Sequence, residues 1–242
     1  MDRCVITDPR LEEECKKNLE RAGFRVIAAA LTDLVDTPIS GHPDIQMFLH
    51  EKNLFVHPDM DKKFIKSIER YVNVIQCSSK LNKNYPDDIP YNIALVGNFA
   101  IHKKGFTDKT VRDYLLNNGI AVVDAKQGYA KCSTLIVNEN SIITSDRSIS
   151  DAAKGVGIDT LLISDNYIEL PGYNHGFIGG ASGSCGDAIY LTGRIDHHPN
   201  RDDIKSFIAS KNMQLKILSS KGLIDAGSLF LSDESYHARN IS

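Results

Sequence analysis

One phrase recurs along this chain at nearly even spacing: an apolar run with a two-residue period, a polar turn, then a helical stretch. The turns are Thr7-Asp8-Pro9, His57-Pro58-Asp59, His102-Lys103-Lys104, Thr144-Ser145-Asp146 and Asp196-His197-His198-Pro199. Their starts lie roughly 40 to 50 residues apart, a period that marks arrays, propellers or solenoids. Five such units account for nearly all 242 residues. Fold and function therefore follow from a repeat architecture and not from one ordinary α/β sheet.

The unit around residues 45–75 is the clearest. Residues 45–49 read as a strand, 50–53 as a turn and 54–56 as the return strand of a hairpin. Pro58 and Asp59 are expected to open a helix, since both suit its first turn. Phe64, Ile65, Ile68 and Tyr71 fall at helical spacing, and residues 72–75 close the unit as a strand. The same order fits residues 92–123, with a turn at Gly97-Asn98. It fits 133–163, with a turn at 138–140, and 179–218, with a turn at Gly186-Asp187. The last unit is split: residues 225–231 supply one strand, while 4–6, 9–21 and 24–27 supply strand, helix and strand from the other end. A strand shared between the ends closes a ring and removes exposed edges. The expected architecture is a single α/β domain over residues 1–242, a closed propeller of five ββαβ modules.

Hydrophobic residues make up 42% and charged residues 24% of the chain, as in ordinary globular proteins. The net charge of −3, without a basic block, argues against a nucleic-acid partner. The first residues lack a basic and apolar leader, and no apolar run approaches the roughly 18 residues of a membrane span. Five cysteines, odd in number and without a CxxC pair, suit reduced thiols in a cytoplasmic protein.

A five-fold ββαβ ring resembles the pentein fold, shared by guanidino-group-modifying enzymes and a ribosome anti-association factor. Segments 41–46, 127–133 and 176–183 are similar to a bacterial branch of that superfamily to which no activity attaches. The resemblance implies that the start of each hairpin lies near a central channel. Aligned by their turns, the modules bring His42 and Asp44, then Asn92, Lys131 and Cys132, Ser182 and Asp225 to those points.

His42-Pro43-Asp44 is similar to the His-x-Asp of arginine-deiminase-like penteins, in which the His is acid and base and the Asp holds the guanidinium. The same tripeptide also suits a plain turn entering a strand. Cys132 is the candidate nucleophile, and Lys131 beside it would favour a thiolate. If both lie in a strand, they point to opposite faces, and Cys132 is then a core residue. The resemblance puts a deiminase nucleophile one module after the His. That stretch here, residues 90–94, has no cysteine, and Cys132 lies one module further on. Asp225 sits one module before His42, where a family acid positions the His; it also suits a cap for backbone groups.

Other motifs carry less. Residues 179–186 are glycine-rich but lack the Gly-Lys-Ser/Thr ending of a phosphate loop, so close backbone packing is the expectation. Cys185 is expected at a hairpin tip. His197 and His198 have no third ligand at metal spacing, so neither a metal nor another cofactor is expected. Tyr129 and Gln127 are placed as pocket residues, and Tyr173 and His175 as a lid.

Two functions suit this set. In one, His42, Cys132 and Asp225 perform hydrolysis or group transfer on a small guanidine, amidine or amide, with Asp44, Asn92, Lys131 and Ser182 binding a polar or cationic substrate. In the other, the ring binds a small molecule or a macromolecule without catalysis, because a fold does not imply its chemistry. No oligomeric state is read from the sequence.

Overall fold

A computed structural model describes residues 3–232 of the chain. It contains five three-stranded sheets. The chain opens with β1 (Cys4–Thr7), α1 (Glu13–Arg21) and β2 (Arg25–Ala28). A helical turn, α2 (Pro43–Gln46), leads into β3 (Met47–His50), β4 (Asn53–Val56), α3 (Lys62–Ile68) and β5 (Asn73–Gln76). The third module is β6 (Ala94–Val96), β7 (Phe99–His102), α4 (Lys109–Asn117) and β8 (Ala121–Asp124). The fourth is β9 (Thr134–Asn138), β10 (Ser141–Thr144), α5 (Arg147–Gly155) and β11 (Asp159–Leu162). The fifth is β12 (Ser182–Cys185), β13 (Ala188–Leu191), α6 (Arg201–Ser210) and β14 (Gln214–Ile217), followed by β15 (Phe230–Ser232).

Each module pairs its first two strands antiparallel, then crosses through its helix to a third strand parallel to the second. The split module obeys the same rule. β15 runs antiparallel to β1 with Phe230 opposite Ile6, and β2 runs parallel to β1. The strand shared between the chain's two ends is therefore real.

Ring closure is visible in the core. Five apolar clusters each sit between two successive modules. Middle strands serve two clusters at once, because neighbouring side chains leave a strand on opposite faces. In β4, Leu54 and Val56 face the first module while Phe55 faces the third. In β10, Ile142 and Ile143 divide between the third and fifth modules. In β13, Ile189 and Leu191 face the fourth module, and Ala188 and Tyr190 face Val5 and Leu19 of the first. Double burial explains the unbroken apolar runs 54–56, 142–143 and 188–191 in these strands.

Three local expectations shift. α3 starts after Asp61, whose carboxylate accepts the amides of Lys63 and Phe64 at 2.8 Å, and not at Pro58-Asp59. Residues 43–46 form the turn α2, so β3 begins at Met47. Lys131 and Cys132 lie in a turn closed by Ser133 N to Tyr129 O, just before β9. Strand alternation does not apply to either. Among the described residues no helix is long and apolar enough to cross a membrane.

Candidate functional site

The connections between modules, together with the turn after β1, meet at one end of the ring. His42 and Asp44 come from the connection into β3, Asn92 from that into β6, Lys131 and Cys132 from that into β9, and Asp225 from that into β15. All of these except Lys131 are buried.

Asn92 organises the centre with one side-chain amide. Its Oδ1 accepts the backbone amides of Lys131 (2.7 Å) and Cys132 (3.2 Å). Its Nδ2 donates to the Asp44 carbonyl and to Cys132 Sγ, both at 3.0 Å. These bonds bend residues 131–132 into their turn and aim the thiol. Nearby, Lys131 Nζ donates to Ser228 Oγ at 2.9 Å, and that hydroxyl donates to Asp44 Oδ2 at 2.6 Å. Ser228 holds a left-handed backbone, φ +68°, a strain typical of functional connections.

His42 lies between two carboxylates. Its Nδ1 is 3.8 Å from Asp225 Oδ1 and its Nε2 is 3.9 Å from Asp8 Oδ2. Asp225 is fixed by the amides of Phe177 (2.9 Å) and Gly227 (3.0 Å). Asp8 is held by Arg10 through Nε (2.9 Å) and Nη2 (2.6 Å). Glycines permit this density. A methyl group at Gly180 would lie 2.0 Å from Asp225 Oδ1, and one at Gly227 would lie 2.2 Å from His42 Cβ. The glycine-rich stretch thus serves close packing, and Gly179 presses against the carbonyls of Lys131, Cys132 and Thr134.

A cavity of about 240 Å³ opens on this centre. His42, Cys132 and Asp225 form its floor, and Tyr129, Tyr173, His175 and Phe177 stand among its walls. A second cavity, about 440 Å³, opens along the first strands toward the hairpin tips; it is lined in part by Lys131, Ser182 and Cys185. Asp44 and Asn92 support the floor of the smaller cavity from behind. Ser182 is turned away from it, its hydroxyl bonded to Gly179 O at 3.1 Å.

Electrostatics correct one expectation. Burial pushes the Cys132 thiol well above its ordinary value, and Asp44 and Asp225 push the same way, against the Asn92 N–H. Burial also lowers the Lys131 ammonium, opposed by Asp44. The resting pair is a thiol beside a weakened cation and not the thiolate that Lys131 alone would favour. Burial, before any other cause, raises Asp225 too, while His42 draws it down.

Sequence reasoning missed Asp8 and Ser228. Asp8 was legible only as a turn residue, and Ser228 carried no local signal. Gln127 does not face the cavity; its side chain bonds Asp146 Oδ2 at 3.2 Å and Tyr129 N at 3.1 Å. Cys185 ends β12 at a hairpin tip, as expected. His198 is a turn residue: its Nδ1 accepts Asn200 N at 3.0 Å and its Nε2 faces Ser164 O at 3.2 Å.

A family described as "Family of unknown function (DUF6873)" matches residues 6–230. No curated protein is similar to the chain in sequence. Several solved structures share its fold. Agmatine deiminase of C. jejuni is 10% identical with a TM-score of 0.54, over 94% of this chain and 80% of that one. DDAH from Pseudomonas aeruginosa, a cysteine-to-serine mutant complexed with citrulline, is 10% identical with a TM-score of 0.51, over 90% and 92%. The N-terminal domain of ArgZ, a cyanobacterial arginine dihydrolase, covalently bound to a reaction intermediate, is 11% identical with a TM-score of 0.53, over 96% and 98%. The likeness establishes the pentein α/β propeller that the sequence resemblance implied.

Proposed function

The chain belongs to the family of unknown function DUF6873, and from that premise and the geometry of its central cavity we propose a cysteine–histidine hydrolase or transferase for small guanidine, amidine or amide compounds. One observation carries this reading: Cys132 and His42, ninety positions apart in sequence (132 − 42), line the floor of one cavity together with Asp225. The solved pentein structures named above include proteins whose names state action on guanidino compounds, which agrees with that choice of substrate.

The proposed chemistry uses the groups in their observed surroundings. The Cys132 thiol proton passes to His42, and Sγ bonds to the central carbon of the guanidine or amidine as the C=N electron pair moves onto nitrogen. The C–N bond to the departing amine breaks as the His42 imidazolium protonates that nitrogen. Neutral His42 then takes a proton from a water that adds to the same carbon, and the C–S bond breaks as His42 returns that proton to sulfur, restoring the thiol. Asp225 stabilises the imidazolium between these steps. Because Asp44 and Asp225 contribute to the high thiol value, a cationic substrate seated beside them draws it down. The nucleophile is thus activated when substrate is bound.

Alkylation by chloroacetamidine tests this. Cys132 is expected to be labelled faster than Cys185, which is more exposed but lies outside the cavity. Cys132→Ala should abolish the fast phase, and His42→Ala should shift its pH profile. Labelling of Cys132 no faster than Cys185 overturns the catalytic reading. The elevated thiol, clamped by Asn92, favours a second reading in that event: a guanidine-binding protein without turnover, recognised by calorimetric binding of a guanidine that is not consumed.

A further inference from the structure

The walls of the small cavity carry a charge pattern that the proposed reaction does not use. Tyr129 and Tyr173 both line it, and each hydroxyl donates to a carboxylate behind it. Tyr129 bonds Asp88 Oδ2, and Tyr173 bonds Asp36 Oδ2 at 3.3 Å. Asp88 is 3% exposed, and its other oxygen, Oδ1, has no hydrogen-bond partner among the described residues. The two pairs are close: Asp88 acts on Tyr173 of the other pair, and Asp36 acts on Asp88 itself. Neither carboxylate joins a salt bridge among the described residues, and no lysine or arginine lines the cavity. Behind Tyr129, the neighbouring Tyr85 already holds an ammonium: Lys103 Nζ sits 4.7 Å from its ring centre and donates to its hydroxyl at 2.8 Å.

A phenol that donates to a carboxylate has an electron-enriched ring, and a cation over such a ring is attracted most where water is excluded. A carboxylate tail meets the reverse: two like charges, with only His42 and His175 as imidazoles to answer them. We propose that Tyr129, Tyr173, Asp36 and Asp88 form a cation-recognising subsite that selects substrates with a second cationic group and no carboxylate at the far end from the reacting carbon. The proposal rests on the reading that Cys132 marks the reacting end.

Three ligands of matched length test it: 4-aminobutylguanidine, butylguanidine and 4-guanidinobutyrate, each titrated by calorimetry into the Cys132→Ala chain. The amine should bind about tenfold more tightly than the methyl-ended compound, a ratio set by one desolvated cation–π contact, and the carboxylate most weakly. Asp36→Asn, at an exposed position, and Tyr173→Phe should each lower severalfold the ratio of 4-aminobutylguanidine to butylguanidine affinity. Asp88→Asn should do the same, more strongly. Equal affinities for the three, tightest binding of the carboxylate, or no binding of any overturns the subsite. Amine preference without turnover of any guanidine by the unmodified chain keeps the subsite and overturns only the catalytic reading.

Discussion

Asn92 fills every hydrogen-bonding position of one buried amide with partners that build the site: two backbone amides, one carbonyl and the Cys132 sulfur. Asn92→Ala leaves the amides of Lys131 and Cys132 buried and unpaired. We expect it to destabilise the chain by roughly 2–4 kcal/mol, a figure built from the penalty of unsatisfied buried groups. Because the Asn92 N–H lowers the thiol, the same variant should move the onset of Cys132 alkylation to higher pH. Urea unfolding and a labelling pH profile check the two effects, and an unchanged onset would show that the amide does not poise the sulfur. Gly227 is the second test at this scale. Its φ of +67° and its closeness to His42 Cβ leave no room for a side chain. Gly227→Ala should displace the imidazole and shift the pH profile of labelling while Cys132 itself stays reactive; an unshifted pH profile in a folded Gly227→Ala chain would refute that packing argument.

At the scale of elements, polar groups after the middle strands hold the connections that carry the site. Asp108 caps α4 through Thr110 N (2.7 Å) and Val111 N (3.2 Å), and its other oxygen ties Ser78 N, Ser78 Oγ and Ser79 N of the connection into β6. Burial pushes this carboxyl up, but the hydrogen bonds prevail and bring it down to about 2. Its stabilisation is complete above the usual carboxylate range and lost as pH falls toward 2. Asp108→Ala should lower stability by about 2–3 kcal/mol, the sum of a lost cap and unpaired amides, measured by urea midpoints at neutral pH. His57 and His102 stand in the corresponding turns, each lowered by burial from 6.5 to about 4. Both are buried neutral, so they favour the fold above pH 6.5 and oppose it as pH falls through 6.5 toward 4. Together they should remove on the order of 3 kcal/mol by pH 5. His57→Met, which strands no partner because both ring nitrogens are unbonded, should flatten that loss; an identical drop between pH 7.5 and 5 would refute it.

These elements also mark how far the sequence could be read. The alternating strands, the turns at Gly97 and Gly186 and the apolar helix faces are local patterns, and the module order followed from them. Whether Lys131 and Cys132 lie in a strand is not decided by local pattern, because their turn is imposed by Asn92, 39 and 40 residues away. Ser228 meets Asp44 across 184 positions and Asp8 meets His42 across the first module boundary. Such pairings belong to the closed ring and leave no trace in spacing. Asp8 had a visible hint, an acid directly after a buried strand and two residues before Arg10, which holds it.

Over the described residues the molecule is a ring closed by one hairpin whose strands, β15 and β1, come from distant parts of the sequence. β15 and β1 pair as the other hairpins do, with Ser232 opposite Cys4. Each cluster of the core joins neighbours on both sides, so the position of the break should matter less than the closure of the circle. The break should be harmless at any hairpin tip and harmful in a connection between modules, where the site residues sit. A permuted chain that joins residue 232 to residue 4 through Asn-Gly, a turn suited to a two-residue hairpin, and opens between Gly186 and Asp187 tests this. Gly186 has open space around it, so new ends there displace nothing. We expect one cooperative melting transition within about 3 °C of the parent, a shift near 1 kcal/mol for a chain of this size, and undiminished labelling of Cys132. The control opens between Gly128 and Tyr129, whose connection holds the thiol in place; it should melt lower and lose the fast labelling. Equal behaviour of the two permuted chains would mean that the inter-module connections are not what assembles the cavity, and that the ring's apolar seams alone fix Cys132 beside His42.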